Sequence, residues 1–303
     1  MTETFEFVQK IRFSHCDPAG ILYFPHVFDM VNATLEDWFE LGLGMPFDAF
    51  HQEHGYGNPV VSTHCDFLHP CRFGEELVFE LAATSVGRSS IEMRIVARVA
   101  GEERIRVRHR TAMVALDTFR AVAIPASLRA RIESFLVAPA DRFAAPPVAM
   151  HAGEAPPNAF RSRQLVRYSH CDPGGIAYYA RFFDLFNAAL EDWFAEGLDC
   201  PWGSDFMGPR NLRTPSLRIG CEFQRGCRLG DVLDFDLWLT GLGASTMQLA
   251  LAGGVDGGAR VRVAWTLGIA DHDTLAPVRV PDDLRARVER FVVGAGSGAQ
   301  TGG

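Results

Sequence analysis

The chain has 303 residues, 48% of them hydrophobic and 22% charged, and a formal net charge of −8. That length suits about two domains of roughly 150 residues, each large enough to bury its own core. The acidic balance and the scattered arginines exclude a nucleic-acid binder, but two or three local cations could still meet a small anionic ligand.

No apolar run approaches the roughly 20 residues of a membrane span, and residues 1–10 lack the basic-then-apolar pattern of a signal peptide. A cytoplasmic protein without membrane contact is expected. Seven cysteines, an odd number, point to reduced thiols.

Residues 5–14 carry Phe5, Phe7, Ile11 and Phe13 in partial alternation with polar residues, the period of a half-buried strand. Asp17-Pro18-Ala19-Gly20 reads as a turn, because proline presets φ and glycine tolerates the backbone angles that the next position needs. From Phe24, apolar residues at Val27, Phe28, Val31, Leu35 and Trp38 mark one face of a helix, which Gly42 and Gly44 end. At ~1.5 Å per residue it is about 28 Å long, enough to cross a sheet. After a Gly-, His- and Pro-rich loop at 42–59, strands are expected at 60–67, 76–86, 90–100, 104–116 and 119–124, then a short helix at 125–136. This order predicts an α+β architecture, an antiparallel sheet wrapped on one central helix.

The pattern occurs twice. Ile11-Arg12-Phe13-Ser14-His15-Cys16-Asp17-Pro18-Ala19-Gly20-Ile21-Leu22-Tyr23-Phe24-Pro25 is answered by Val166-Arg167-Tyr168-Ser169-His170-Cys171-Asp172-Pro173-Gly174-Gly175-Ile176-Ala177-Tyr178-Tyr179-Ala180, 155 positions on. One extra residue after the second helix makes the later offset 156, aligning Pro59, Cys65 and Asp117 with Pro215, Cys221 and Asp273. The expected domains are 1–137 and 159–293. Between them lies a linker at 138–158 with five prolines, semi-extended by composition, and 294–303 is a Gly-rich tail.

Along an extended segment His15 and Asp17 would share a face and Cys16 would point away, which disfavours a Cys16 nucleophile and suits a buried structural cysteine. Asp17 before Pro-Ala-Gly is also an ordinary turn residue whose carboxylate can accept backbone N–H bonds. The helix start shifts that balance, because neither Ile21–Pro25 nor Ile176–Ala180 offers a Ser, Thr, Asn or Asp cap. Up to four N–H donors there need acceptors from elsewhere. A helix mouth with a carboxylate just upstream suits an oxyanion site beside a base or nucleophile. Pro25 fits the first helical turn, leaving the N–H of Phe24, or of Tyr179 in the second copy, as the expected donor. His15 and His170 are open between orienting the aspartate and filling a hydrogen-bonded position. No metal is expected: among His51, His54, His64 and His69, the last two correspond to Gly220 and Arg225, and no paired ligand spacing appears.

These residues resemble the hotdog-fold acyl-CoA thioesterases of the 4-hydroxybenzoyl-CoA thioesterase type. The segments Arg12 to Trp38 and Arg167 to Trp193 each look like that group's signature, so the chain resembles a tandem, or double hotdog, an intrachain pseudo-dimer. The resemblance implies that Asp17 and Asp172 are the catalytic carboxylates and that the Phe24 and Tyr179 amides polarise the thioester carbonyl. It also implies that His15, His170, Tyr23, Tyr178, Asn32, Asn187, Asn58, Pro59, Thr214 and Pro215 line the substrate, and that coenzyme A, the carrier half of the substrate and no separate cofactor, meets Arg88, Ser89 and Ser90. The second copy departs there, with Gly243-Ala244-Ser245-Thr246, which moves the phosphates to other arginines such as Arg120 or Arg210 or leaves one site without them. The implied activity is hydrolysis of an acyl-CoA; the aromatic residues of the helices would suit an aryl-CoA, although core packing accounts for most of them. A hotdog hydratase using His15 and Asp17, and a non-catalytic acyl-CoA-binding module, are the alternatives. Pairing of two chains into a homodimer is left open.

Overall fold

The computed structural model describes residues 4–138, 150 and 154–293. Most of the linker expected at 138–158, and all of the tail at 294–303, lie outside the described residues. The chain divides into two compact units, residues 1–147 and 148–303.

In unit 1, strand β1 (Phe5–Lys10) leads through a 3-10 turn to helix α1 (Phe24–Asp37), which continues as a π-helical turn, Trp38–Gly42. A short helix α2 (Phe47–Gln52) and strand β2 (Tyr56–Gly57) occupy the stretch expected as loop. Strands β3 (Val60–Phe67), β4 (Glu76–Val86), β5 (Ser90–Val99) and β6 (Glu102–Ala112) follow, then β7 (Val114–Ala115) and helix α3 (Ala126–Ser134). The unit's main sheet runs β1-β4-β5-β6-β3, every pair antiparallel. The strand expected at 119–124 is not formed. Phe119 takes a positive φ of 52° and the segment contributes a lone bridge, Val114 to Ala121.

Unit 2 repeats the plan with β8 (Phe160–Leu165), α4 (Arg181–Asp192), β9 (Leu212–Arg213), β10 (Ser216–Phe223), β11 (Val232–Leu242), β12 (Thr246–Val255), β13 (Gly258–Gly268), β14 (Ala270–Asp271) and α5 (Asp282–Val288). Its main sheet runs β10-β13-β12-β11-β8. Each unit is a hotdog, and the chain is the expected α+β double hotdog.

Alternation along the strands supplies the face that meets the helix. Leu77, Phe79 and Leu81 of β4 and Ile91, Met93 and Ile95 of β5 are buried, as are Val27, Phe28, Val31 and Leu35 of α1. In unit 2, Phe186 of α4 meets Phe235 of β11 edge to face at 5.7 Å. Polar ties fix where the first strand crosses the helix. Gln9 donates to the Met30 carbonyl at 2.7 Å, and Gln164 donates to Asp192 at 2.6 Å. Among the described residues no helix is long and apolar enough to cross a membrane.

Candidate active site

The extended chain expected up to Asp17 does not form, because Phe13–His15 wind into a 3-10 turn. The His15 ring folds back so that Nδ1 accepts the Arg12 N–H at 3.2 Å. That bond satisfies a donor the strand has left behind. Cys16 then bridges Leu22, and the Tyr23 N–H donates to the His15 carbonyl at 2.9 Å, closing a tight loop over residues 16–22. Inside it the Asp17 N–H donates to the Ile21 carbonyl and the Gly20 N–H to the Asp17 carbonyl, both at 2.9 Å. Gly20 sits at φ +71°, where a side chain would be strained. Asp17 Oδ1 accepts the Ala19 N–H at 2.7 Å, so the turn anchors its own carboxylate at Oδ1.

Unit 2 reproduces each bond. His170 Nδ1 accepts from the Arg167 N–H at 3.1 Å, Asp172 Oδ1 accepts from the Gly174 N–H at 2.8 Å, and Gly175 takes φ +74°. The Tyr178 N–H donates to the His170 carbonyl at 2.9 Å.

A ring nitrogen that accepts an amide hydrogen cannot carry a proton, so in each imidazole the neutral proton sits on Nε2. The electrostatics agree. Burial lowers the pKa of His15, with His26 and Arg12 adding to the shift and Asp29 opposing it. Burial lowers that of His170 as well, against the pull of Asp184. Cys16 and Cys171, expected in the core, are partly exposed. Burial and the neighbouring aspartate still raise both thiols, and each S–H donates to a carbonyl, Arg12 or Arg167, at 3.6 Å. Neither is a thiolate near neutral pH.

Residues that composition alone did not single out stand at the helix entrance. His26 Nδ1 lies 3.3 Å from Asp29 Oδ2, and Arg181 donates to Asp184 at 2.9 Å in the equivalent place. The His26 ring is 5.7 Å from His15 and 5.6 Å from Tyr23. The signal available was the same i, i+3 basic residue and carboxylate in both copies.

Phe24 is the first residue of α1, and the side chain at the N-cap position, Tyr23, makes no cap hydrogen bond to that helix start. In unit 2 regular helix begins at Arg181, two residues beyond Tyr179, again without a side-chain cap. The first turn is nonetheless the same. His26 N–H donates to the Tyr23 carbonyl and Arg181 N–H to the Tyr178 carbonyl, each at 2.9 Å.

Further along each helix, Asn32 donates to Glu36 at 2.5 Å and Asn187 to Glu191 at 2.6 Å. Burial of these carboxyls pushes their pKa up, and the Asn bond opposes it. Asn58 is half-buried, and its amide nitrogen is buried without a hydrogen-bond partner among the described residues. The Pro59 and Pro215 carbonyls accept from Ala112 and Gly268 at 3.0 and 2.9 Å, and Thr214 is half-buried beside its proline.

Arg88 and Ser89 form the tip between β4 and β5, and Ser90 opens β5. Arg88 is exposed, and the Ser89 carbonyl accepts from Met113 at 2.7 Å. An arginine from a later helix reaches this tip in both units. Arg129 donates to the Gly87 carbonyl and Arg285 to the Gly243 carbonyl, each at 2.5 Å. Arg210 donates to Asp205 at 2.9 Å and to both oxygens of Asp283 at 3.0 and 2.7 Å. Among the described residues no cluster of three or more His, Cys, Asp or Glu could hold a metal ion.

A family model described as thioesterase-like superfamily matches residues 11–132. The 4-hydroxybenzoyl-CoA thioesterase of Pseudomonas sp. (strain CBS-3) is 30% identical over 96 residues, which cover 31% of this chain and 67% of that protein. The chain belongs to the thioesterase-like superfamily. This superfamily member is also 27% identical over 88 residues to the 1,4-dihydroxy-2-naphthoyl-CoA hydrolase of Acaryochloris marina, 29% of this chain and 64% of that protein. The match thus spans just under two thirds of that relative's length. Among solved structures, the 12:0-ACP thioesterase from Umbellularia californica superposes with a TM-score of 0.70 at 15% identity, over 88% of this chain and 94% of that one. At that identity the likeness shows the fold, and it extends over both hotdog units.

Proposed function

We propose that the chain hydrolyses acyl thioesters of coenzyme A, with Asp17 and Asp172 as the reacting carboxylates. The observation that carries this reading is the duplicated turn, in which each carboxylate is anchored through Oδ1 by the amide two residues on, at 2.7 and 2.8 Å. A few residues downstream the helix starts without a side-chain cap, and its dipole, equivalent to about half a positive charge, favours an oxyanion there. The Phe24 and Tyr179 amides are the donors for the thioester oxygen.

The carboxylate either attacks the carbonyl, forming an anhydride and releasing the coenzyme A thiolate before water hydrolyses the anhydride, or activates a water directly. Single-turnover hydrolysis in oxygen-18 water separates these routes, because only the first leaves label in the aspartate. The raised thiol pKa values argue against a cysteine nucleophile. The His15 tautomer argues against the hydratase alternative, because Nδ1 is taken by the Arg12 N–H. The relatives named for naphthoyl-CoA and hydroxybenzoyl-CoA support an aryl acyl group, and seven free thiols suit the reducing cytoplasm.

Replacing Asp17→Asn and Asp172→Asn together should cut thiol release from a panel of acyl-CoAs by about 10²- to 10⁴-fold with an unchanged circular dichroism spectrum. Full activity in that double variant rejects the reading.

A further inference from the structure

The loop resembling a phosphate-binding segment has one arginine of its own in unit 1 and none in unit 2, and the arginines that reach it, Arg129 and Arg285, donate to backbone carbonyls there, so the anionic end of a coenzyme A thioester calls for further partners. The surface beside the turn offers another place. Phe13 is 83% exposed and Phe73 59%, and their rings meet edge to face at 6.0 Å and 88°. Two perpendicular rings make an open corner, in which a planar base can stack on one face and abut the edge of the other. Each ring is preceded by an exposed arginine, Arg12 and Arg72.

Among the described residues neither guanidinium has an ion pair, whereas Arg98, Arg106, Arg181 and Arg210 all do. The nearest acidic neighbour in sequence, Glu75, turns its carboxylate onto the Arg72 N–H at 2.6 Å. Arg12 lies close enough to His15 to lower its pKa, and Arg72 bridges Ile21 on the loop that carries Asp17. Phe13 stands four residues from Asp17, at most about 14 Å of chain, a distance the extended pantetheine arm can cross.

We propose that Arg12, Phe13, Arg72 and Phe73 form a subsite for the adenine nucleotide end of a coenzyme A thioester, the base in the ring corner and the phosphates on the two guanidinium groups. The inference rests on the thioesterase reading and names where its substrate is held. Exposed rings bind bases through stacking, and arginine offers paired donors to phosphate. Unit 2 keeps Arg167, Arg228 and Tyr168, the last 85% exposed, but has Leu229 where unit 1 has Phe73. It lacks the second wall, so its subsite is the weaker.

The test is calorimetric titration with desulfo-coenzyme A of the wild type, the Arg72→Ala/Phe73→Ala variant and Phe13→Ala, each checked for an unchanged unfolding midpoint. Thiol release is measured in parallel on one acyl group carried by coenzyme A and by pantetheine. The wild type should bind, and each variant should bind at least about tenfold more weakly, with salt weakening the wild type more than the Arg72→Ala/Phe73→Ala variant. Pantetheine thioester hydrolysis should be unchanged. Equal affinity in all three proteins overturns the subsite, as does no binding by the wild type or an equal loss on the pantetheine substrate. If neither thioester is hydrolysed by the wild type, the hydrolase reading fails, while the titration still decides whether the nucleotide binds here.

Discussion

Unit 1 buries Thr63 opposite His109 on strands β3 and β6, with Thr111 beside them, where unit 2 buries Ile219 opposite Trp265, with Leu267 beside them. His109 Nδ1 and Thr63 Oγ1 meet at 3.2 Å, which offsets the burial of those two groups, whereas the Thr111 hydroxyl is buried without a hydrogen-bond partner among the described residues. Other positions also exchange in pairs. Gly57 packs so that a Cβ would lie 2.8 Å from Leu116, and in unit 2 both change together, to Arg213 contacting His272. At the helix entrance His26 with Asp29 becomes Arg181 with Asp184. The turn is different, since its aspartate, its positive-φ glycine and its histidine-to-amide bond are the same in both units. Packing accepts any mutually compensated pair, but the turn's bonds run between backbone atoms and a few side chains that have no substitute.

If that contrast reflects function, each turn is a site in its own right. Asp17→Asn and Asp172→Asn taken singly should then each leave about half of the thiol release, and the double variant should lose about 10²- to 10⁴-fold. A single variant that loses as much as the double one breaks the equivalence and marks the other turn as structural. The unequal phosphate loops and ring corners make unit 1 the expected survivor in that case.

The buried polar pair should give unit 1 an acid sensitivity that unit 2 lacks. Burial lowers the His109 pKa from 6.5 to about 4. Below pH 6.5 the unfolded chain therefore takes up a proton that the folded ring refuses until about pH 4. Stability from this group is complete above pH 6.5 and is lost as pH falls towards 4, about 3 kcal/mol in all. Hydrogen exchange should show the β3 and β6 amides losing protection over that window while those of β10 and β13 hold. His109→Gln should flatten the acid limb, and an unchanged limb would refute the assignment.

Glycines behind the central tryptophans provide a control in which the units should agree. A Cβ on Gly42 would lie 2.6 Å from Trp38 Cδ1, and one on Gly197 2.6 Å from Trp193 Cδ1. Both indoles are fully buried. Gly42→Ala and Gly197→Ala should each cost ~1–3 kcal/mol by overpacking, read as a shift of the denaturant midpoint. A cost in one unit alone would show that the two helix ends are not packed alike.

Much of this was legible in residue order because periodicity and turn chemistry are local. The helix from Phe24, the strands at 60–67 and 76–86, and the paired Asp17 and Asp172 turns all follow from spacing. The features that could not be read depended on contacts between segments or on a single φ value. The 3-10 turn at Phe13–His15 exists because the His15 ring captures an amide, and the apolar pattern before it gives no hint of that. Helix α2 hid in a stretch whose histidines and glycines read as loop, although Phe47 and Phe50 pack with Phe39 at 5.3 and 5.1 Å. Arg129 and Arg285 sit on a short polar helix more than 35 residues from the hairpin tips they reach, a distance no local pattern spans.

The smallest effect tests whether the exchanged helix-entrance pairs are equivalent in charge as well as position. Asp29 raises the His15 pKa and Asp184 raises that of His170, each against the lowering by burial. Removing either carboxylate takes away the attraction that favours the protonated ring, so the pKa must fall further. Asp29→Asn should therefore move the His15 ring titration, followed by NMR, to lower pH, and Asp184→Asn should do the same for His170. An unmoved titration in either would mean that the carboxylate acts on its own helix alone, and that the repeated i, i+3 pair serves helix stability rather than the ring beside the turn.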